Sequence, residues 1–225
     1  NDSSLKNLAH WSGLRNINRL LSRSSIVNPV IKKIKILKEN IKNAFSEHIK
    51  LTETELLILS ESLITKHYKK GEYFIKEKDF CDYVGFVDKG LFNFFYLIDG
   101  VEHIRGFFFM NDFISNYPCF LLGNKSKFYI RALENSSITL IHKKDLFLLY
   151  KQLPKLQELS RSIVEKLYIE ISEKYESFFI KTAEERYLEL INSEPDILKI
   201  VPQYMIASYL GITPEGLSRI KKRKS

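Results

Sequence analysis

The end of the chain carries polar and charged side chains at positions that would lie along the outside of a short helix. Arg219 can donate two parallel hydrogen bonds to the acceptor pair of a guanine, and Glu215 can accept one from the amino group of a cytosine. A helix is narrow enough to enter the major groove of double-stranded DNA, where its first residues reach the base edges. We therefore expect a DNA-reading face made of Thr213, Glu215, Ser218, Arg219 and Lys222.

The residues before that face predict the turn that would position it. Gly211 can adopt the left-handed conformation that ends one helix and turns the chain. Thr213 suits the N-cap of the next helix, and Pro214 suits its first position, where a missing N–H costs nothing. Ala207 is small where the two helices would approach closely. The pattern predicts a helix-turn-helix whose inner side is apolar, formed by Ile206, Leu210, Ile212, Leu217 and Ile220.

Phosphate contacts are expected around this face. Gln203, at the start of the first helix, can meet a phosphate, and the basic run at 221–224 would add salt-dependent affinity. The alternative is a helical hairpin that closes a small core and leaves a solvated basic end.

The net charge supports this local interpretation rather than one that covers the whole chain. The formal charge is +8, with a pI near 9.2. Residues 1–50 carry 10 basic and 3 acidic side chains, which is +7, so residues 51–225 carry only +1. The basic excess therefore does not mark the body of the protein as a nucleic-acid-binding surface.

A long amphipathic pattern precedes the helix-turn-helix. Pro154 can open a helix of about 25 residues, which spans about 37 Å. Its apolar stripe either packs wholly on the chain's own sheet or meets an identical helix in a symmetric dimer, and we favour the dimer. The residues of this expected dimer helix are Leu156, Leu159, Ile163, Leu167, Ile171 and Tyr175, with Phe178 continuing the spacing.

Residues 64–142 have a different texture, with short aromatic and β-branched runs separated by glycines. Asp99-Gly100 lies between two apolar runs and is a strong signal for a tight hairpin. The spacing predicts an antiparallel sandwich or jelly roll. Helices are predicted on both sides: one over 30–45, and capping boxes begin others at Thr52 and Thr182.

Residues that could hold a metal or a cofactor are few. Cys81 and Cys119 are too few for an iron–sulfur cluster and lack zinc-like spacing. The histidines are dispersed, and the His-x-His pattern of cupin-type metalloenzymes does not occur. We therefore expect no catalytic residues, no metal and no cofactor, and predict that the protein is not an enzyme. No apolar run approaches a membrane span, so we expect a cytoplasmic protein without a membrane partner.

From about residue 50 onward the chain resembles the Crp/Fnr family of bacterial transcription regulators. The resemblance is carried by "KKGEYFIKEKD", "VDKGLFNFFYLIDG" and "GITPEGLSRIKK". In the last of these, Glu215 and Arg219 match the family's base-contacting glutamate and arginine. The segments "FFMNDFI" and "LIHKKDL" are most similar to the branch common in Bacteroidetes.

The resemblance implies an α+β fold with three parts: a cyclic-nucleotide-binding-like β jelly roll, a long dimerisation helix and a C-terminal helix-turn-helix domain that lacks a full wing. The expected boundaries are 36–153 for the barrel, 154–180 for the helix and 181–225 for the helix-turn-helix domain. Residues 1–35 form an extension whose role we do not assign.

The resemblance also defines where an effector would bind. Family members that bind cyclic AMP carry a Gly-Glu pair and, about ten residues later, an Arg-Ser pair. Without gaps these pairs fall on Ser115-Asn116 and on Ser126-Lys127, so all four positions differ. A lysine also lacks the bidentate fork of arginine. We expect Ser115, Asn116, Ser126 and Lys127 to mark a degenerate effector pocket that does not bind cyclic AMP.

The resemblance thus implies a homodimeric, sequence-specific regulator whose partners are double-stranded DNA and a second copy of itself. RNA polymerase and an unknown small-molecule effector are further expected partners. Two alternatives stay open: a ligand-binding barrel without specific DNA binding, and a remote one, a cupin-type metalloenzyme.

Overall fold

The computed structural model describes residues 51–224. The expected extension 1–35 and the helix expected over 30–45 lie outside these residues. The eight strands are β1 Leu63–Tyr68, β2 Tyr73–Ile75, β3 Tyr83–Lys89, β4 Phe92–Ile98, β5 Val101–Phe108, β6 Phe113–Ile114, β7 Tyr129–Ala132 and β8 Ser136–His142. The helices of the described range are α1 Glu53–Glu61, α2 Tyr117–Leu122, α3 Lys143–Gln152, α4 Pro154–Ile180, α5 Ala183–Ser193, α6 Ile197–Ile200, α7 Gln203–Leu210 and α8 Pro214–Lys224.

The strands form two four-stranded antiparallel sheets. The first sheet has the order β1-β8-β3-β6, and the second has the order β2-β7-β4-β5. Between them lies a core of side chains with no exposed surface, Val87, Phe92, Ile130, Ile138 and Leu140. The predicted α+β architecture with an N-terminal barrel of jelly-roll type and a helical C-terminal region is confirmed.

Local signals also proved correct where the described residues test them. The hairpin at Asp99-Gly100 joins β4 to β5, with Ile98 opposite Val101 and φ values of 50° and 78° at the two turn residues. The Thr52 and Thr182 side chains cap α1 and α5 in capping boxes with Glu55 and Glu185. In the hairpin, the positive φ at both Asp99 and Gly100 is what a type I′ turn requires.

The long helix α4 spans the predicted residues, but its apolar stripe divides into two parts. Leu156 and Leu159 are 4% and 3% exposed, and they pack with α1, α3 and the first sheet in the chain's own core. Ile171 and Tyr175 are 67% and 64% exposed. The apolar stripe in the first half of α4 is thus buried against its own barrel, whereas in the second half Ile171 and Tyr175 of the stripe stay exposed.

The C-terminal helices form a second core, which lies against the outer face of the second sheet. Phe95 and Ile104, on the outer face of the second sheet, are buried together with Tyr187, Ile206 and Leu217. The second sheet therefore has apolar contacts on both faces, the barrel interior and the helical region.

None of the described helices combines the length and the apolar character that a membrane span requires.

Candidate nucleic-acid interface

The turn between α7 and α8 has the geometry that its sequence predicts. Gly211 has φ 71°, in the left-handed region. Its N–H donates to the Ser208 carbonyl at 3.1 Å, and the Ile212 N–H donates to the Ala207 carbonyl at 3.0 Å. Thr213 Oγ1 accepts from the Gly216 N–H at 3.1 Å and so caps α8. These bonds satisfy backbone groups that the helix ends leave without an intrahelical partner.

Apolar packing fixes the orientation of the two helices. Ile206, Leu210 and Leu217 are at most 1% exposed, and Ile220 is 8% exposed. Ile212 is half-buried against the same cluster. The inner side of the unit is therefore occupied, which leaves the opposite side of α8 to solvent.

The structure exposes every side chain expected to read DNA. Those on α8 and its cap are Thr213, Glu215, Ser218, Arg219 and Lys222, and Gln203 is exposed as the first residue of α7.

Glu215 lies in a setting that favours its charged form. Hydrogen bonds from its own backbone N–H and from the Thr213 side chain lower the pKa of its carboxyl, and the positive charge of Arg219 adds to this effect. The face therefore presents an ionised acceptor and a cationic donor, which are the groups that a cytosine amino group and a guanine edge require.

The basic end of α8 is only partly free. Arg223 Nη1 lies 3.8 Å from the Glu184 carboxylate of α5, whereas Lys222 is exposed and Lys221 is half-buried. Arg223 is therefore paired within the chain, and its contribution to phosphate binding would require that pair to open.

The four residues expected at an effector pocket do not surround an open site. Asn116 and Ser126 are each 2% exposed, and Asn116 Nδ2 donates to Ser126 Oγ at 2.9 Å. Ser126 Oγ donates in turn to the Phe128 carbonyl, and Ser115 Oγ donates to the Tyr83 carbonyl. This differs from the predicted pocket, because three of the four side chains hydrogen-bond within the fold. Lys127 alone is exposed.

Aromatic rings fill the barrel beside this network. Phe94 packs with Phe108 and with Phe128 at centroid distances of 5.4 and 5.5 Å, and Tyr96 packs with Phe128 at 5.7 Å. Phe128 follows Ser126 by two residues, so this half-buried aromatic cluster lies next to the hydrogen-bond network.

An apolar crevice that sequence reasoning missed lies between the first sheet and the helices α1, α3 and α4. Its cavity volume is about 80 Å³. None of the residues that line it carries a formal charge, so it suits an apolar group and not a phosphate. Its lining includes Phe86, Phe113, Tyr117, Leu159, Ile163 and Val164.

The contact of α7 with the second sheet was also not predicted from the sequence. A bulge in β5 shifts the register so that Phe94 pairs with Gly106 but Phe95 pairs with Ile104. At the bulge the Ile104 N–H donates to Ser208 Oγ of α7 at 2.9 Å. A bulge leaves backbone N–H and C=O groups without a partner on the neighbouring strand. Here Ser208 of α7 supplies the acceptor for the Ile104 N–H.

Two pairs of side chains extend this contact. Tyr209 of α7 packs on Phe107 of β5, with the ring centroids 5.2 Å apart. Asn93 is fully buried with its Nδ2 3.9 Å from the Met205 sulfur, and its Oδ1 has no hydrogen-bond partner among the described residues. A buried amide oxygen without a donor costs about 1–3 kcal/mol, which works against α7 staying on the sheet.

Lys174 joins three elements at one ammonium group. Its Nζ donates to the carbonyl of Arg105, the bulged residue of β5, at 2.7 Å and lies 3.9 Å from the centroid of the Tyr209 ring. Burial lowers the pKa of Lys174 to about 7, and the neighbouring charge of Arg105 lowers it further in the same direction. The long helix, the barrel and α7 therefore meet at a group that titrates near neutrality.

Comparison with known proteins assigns the barrel to a class. Residues 65–152 match the family model of the cyclic nucleotide-binding domain. No curated protein sequence matches the chain significantly.

Solved structures similar to the chain extend the comparison beyond the barrel and include a regulator described as a member of the Crp/Fnr family. A protein from Eubacterium rectale assigned to the Crp/Fnr family of transcriptional regulators has a TM-score of 0.62 at 18% identity, covering 80% of this chain and 87% of that one. FixK2 from Bradyrhizobium japonicum has a TM-score of 0.59 at 20% identity, covering 72% and 83%. The c-di-GMP-responsive global regulator CLP from Xanthomonas campestris has a TM-score of 0.59 at 14% identity, covering 76% and 91%. At these identities the likeness establishes the fold.

We expect the contact between α7 and the second sheet to depend on pH, because the Lys174 ammonium group lies in it. The pKa is about 7 with α7 in place and 10.5 for an ordinary lysine. Between these values the released state binds more protons than the docked state, so docking becomes more favourable as the pH rises from about 7 and weakens as it falls toward about 7. We expect amide hydrogen exchange in α7, corrected for the intrinsic rate, to slow between about pH 7 and pH 9. Lys174→Met should remove this dependence.

Tyr209, whose ring lies against Lys174, titrates above this range, because burial raises the pKa of its hydroxyl above the ordinary value of 10.0. Lys166→Met, on an exposed position of the same helix, is the matched control and should keep the dependence. An unchanged pH profile in Lys174→Met would contradict the assignment.

Proposed function

We propose that the chain is a homodimeric, sequence-specific DNA-binding transcription regulator of the Crp/Fnr type. The observation that carries this proposal is the α7–turn–α8 unit, whose buried inner side fixes α8 while its outer side presents an acceptor and a donor for base edges. The barrel is its sensor or scaffold, and the protein is not an enzyme. Such a regulator acts in the cytoplasm.

We also propose a division of the chain into domains. We assign the barrel to 36–153, the connecting and dimerisation helix to 154–180 and the DNA-binding domain to 181–225. The extended conformation of Lys181 at the C-cap of α4 supports the second boundary. Only the sequence resemblance supports the branch common in Bacteroidetes, and it alone supports RNA polymerase and a small-molecule effector as further partners.

The second half of α4 supports the homodimer. Tyr168, Ile171, Tyr175 and Phe179 recur at steps of three and four, and they are between 64% and 72% exposed. Large apolar side chains along one face of a helix mark a surface that another molecule covers. An identical helix is the simplest partner, because a two-fold axis brings the same face of each copy together.

This face revises the expected dimer residues. Leu156 and Leu159 are left out because they belong to the chain's own core, and Ile163 and Leu167 lie half-buried at its edge. Ile171 and Tyr175 stay at the centre of the proposed interface.

Among residues 51–224 there is no cluster of three or more His, Cys, Asp or Glu side chains placed to hold a metal ion. The remote alternative of a cupin-type metalloenzyme therefore has no ligand set in that range to build on.

DNA reading is tested by Arg219→Ala. We expect the variant to lose about 1–3 kcal/mol of affinity for a selected target duplex and to discriminate less at one base pair, because Arg219 is the proposed guanine contact. Lys222→Ala is the matched control and should weaken target and scrambled duplexes alike. Fluorescence anisotropy at several salt concentrations measures both, and an equal loss on both duplexes for Arg219→Ala would argue against base reading.

The homodimer is tested by Ile171→Glu, which places a carboxylate in the proposed apolar interface. We expect the dimer dissociation constant to rise by at least about 100-fold, since a buried unpaired charge is strongly destabilising. Ile169→Glu introduces the same charge at an exposed apolar position outside the face and should leave the dimer intact. Light scattering after size exclusion reports the mass, and a dimer that survives Ile171→Glu would disprove this interface.

The expectation that the barrel does not bind cyclic nucleotides is tested by calorimetry with cyclic AMP and cyclic GMP. We expect no saturable heat, because Asn116 and Ser126 bind each other and aromatic rings occupy the adjoining space. Micromolar binding of either nucleotide would show that the network opens.

A further inference from the structure

Arg186 of α5 contacts the ends of two other helices at once. Its Nη1 donates to the Lys181 carbonyl at 2.6 Å and to the Ser177 carbonyl at 3.5 Å, at the end of α4. Its Nη2 donates to the Leu210 carbonyl at 2.9 Å, at the last residue of α7. One guanidinium thus bonds the end of the long helix and the end of the helix that precedes the recognition helix α8.

The chemistry of helix ends explains why an arginine suits this position. The last carbonyls of a helix have no intrahelical partner and carry the negative end of the helix dipole. A guanidinium has donors that diverge in one rigid plane, so it can bond two such ends together, whereas an ammonium is a point charge on a flexible stem. Among the described residues Arg186 forms no ion pair with a carboxylate, so backbone carbonyls compensate its charge.

An aromatic ring completes the contact. The guanidinium carbon lies 4.6 Å from the centroid of the Phe178 ring, which belongs to the last turn of α4. The same ring borders the turn, because a Cβ added at Gly211 would lie 3.3 Å from Phe178 Cε1. Arg186 and Phe178 therefore hold the turn between α7 and α8 against the end of α4.

Burial of the Arg186 side chain leaves one of its donors without an acceptor. Arg186 Nε is buried without a hydrogen-bond partner among the described residues. A buried donor without an acceptor is unfavourable, because it has lost its hydrogen bonds to water. The bonds to two helix ends must offset this cost, so the arrangement depends on both ends staying where they are.

We propose that Arg186 is a positioning residue that fixes the angle of the recognition helix to the long helix and thereby sets the half-site spacing that a dimer accepts. This inference rests on the proposed function. In a two-fold dimer built on α4, the direction and separation of the two α8 helices follow from their angle to α4. Half-sites that lie one helical turn apart then bind best only if that angle is fixed.

The test uses the full-length protein and duplexes selected with it: a palindromic target, the same half-sites moved apart by one or two base pairs, and a single half-site. For Arg186→Gln we expect single-half-site affinity within about twofold of wild type, because the α7–α8 core stays intact. Affinity for the preferred spacing should fall about 10-fold, and the differences between spacings should shrink. Arg186→Lys should behave like Arg186→Gln, since it cannot bond both helix ends.

Arg161→Gln is the matched control, because Arg161 is 68% exposed on α4 and pairs only with Glu165 four residues away. It should leave the whole spacing profile unchanged. Equal losses on half-site and palindrome would assign Arg186 a general folding role and overturn the proposal, and so would an unchanged profile in Arg186→Gln.

A second measurement separates this proposal from the proposed function. Spin labels on cysteines introduced at Glu165 and Lys222, with Cys81 and Cys119 replaced by Ala and the dimer disrupted by Ile171→Glu, report the distance between α4 and α8. Arg186→Gln should broaden the distance distribution, and Arg219→Ala should not. A narrow distribution in Arg186→Gln would overturn the positioning role whether or not the protein binds DNA. Failure of the wild type to select any sequence would instead refute the DNA-binding function.

Discussion

Burial of the outer face of the second sheet by α7 is the contact on which the arrangement of the whole molecule depends. Phe95 and Ile104 would face water on an isolated barrel, and Met205 and Tyr209 would lose their contacts with Asn93 and Phe107 on an isolated helix-turn-helix. Each surface removes the other from solvent, which is the main favourable term in their association. The β5 bulge adds direction, because its free N–H finds Ser208 and its bulged carbonyl finds Lys174.

This contact also links the parts expected to sense and to bind. The barrel touches α7 through the sheet, α4 touches it through Lys174 and Tyr209, and α5 touches it through Arg186. A change in any of these elements would therefore alter the position of α8. Asn93 Oδ1 is buried at this contact without a hydrogen-bond partner among the described residues, which makes the contact less stable than an apolar one.

Within the barrel, Asn116 Nδ2 donates to Ser126 Oγ, and Lys127 next to them is exposed. These residues lie in the stretch 65–152 that matches the cyclic nucleotide-binding domain. The crevice between the first sheet and the helices α1, α3 and α4 is lined by residues without formal charge.

Sequence alone determined the features that depend on a few neighbouring residues. The caps at Thr52, Thr182 and Thr213, the hairpin at Asp99-Gly100 and the inner side of the helix-turn-helix were all predictable, because backbone conformation and periodicity decide them locally. Only the tertiary structure decided which face of α4 is covered, where α7 lies and what Arg186 contacts. Each of these depends on groups far apart in the chain, such as Arg186 and Leu210 or Ile104 and Ser208. A regular spacing shows that a face is apolar, but it does not show whether the chain's own barrel or a second molecule will cover that face.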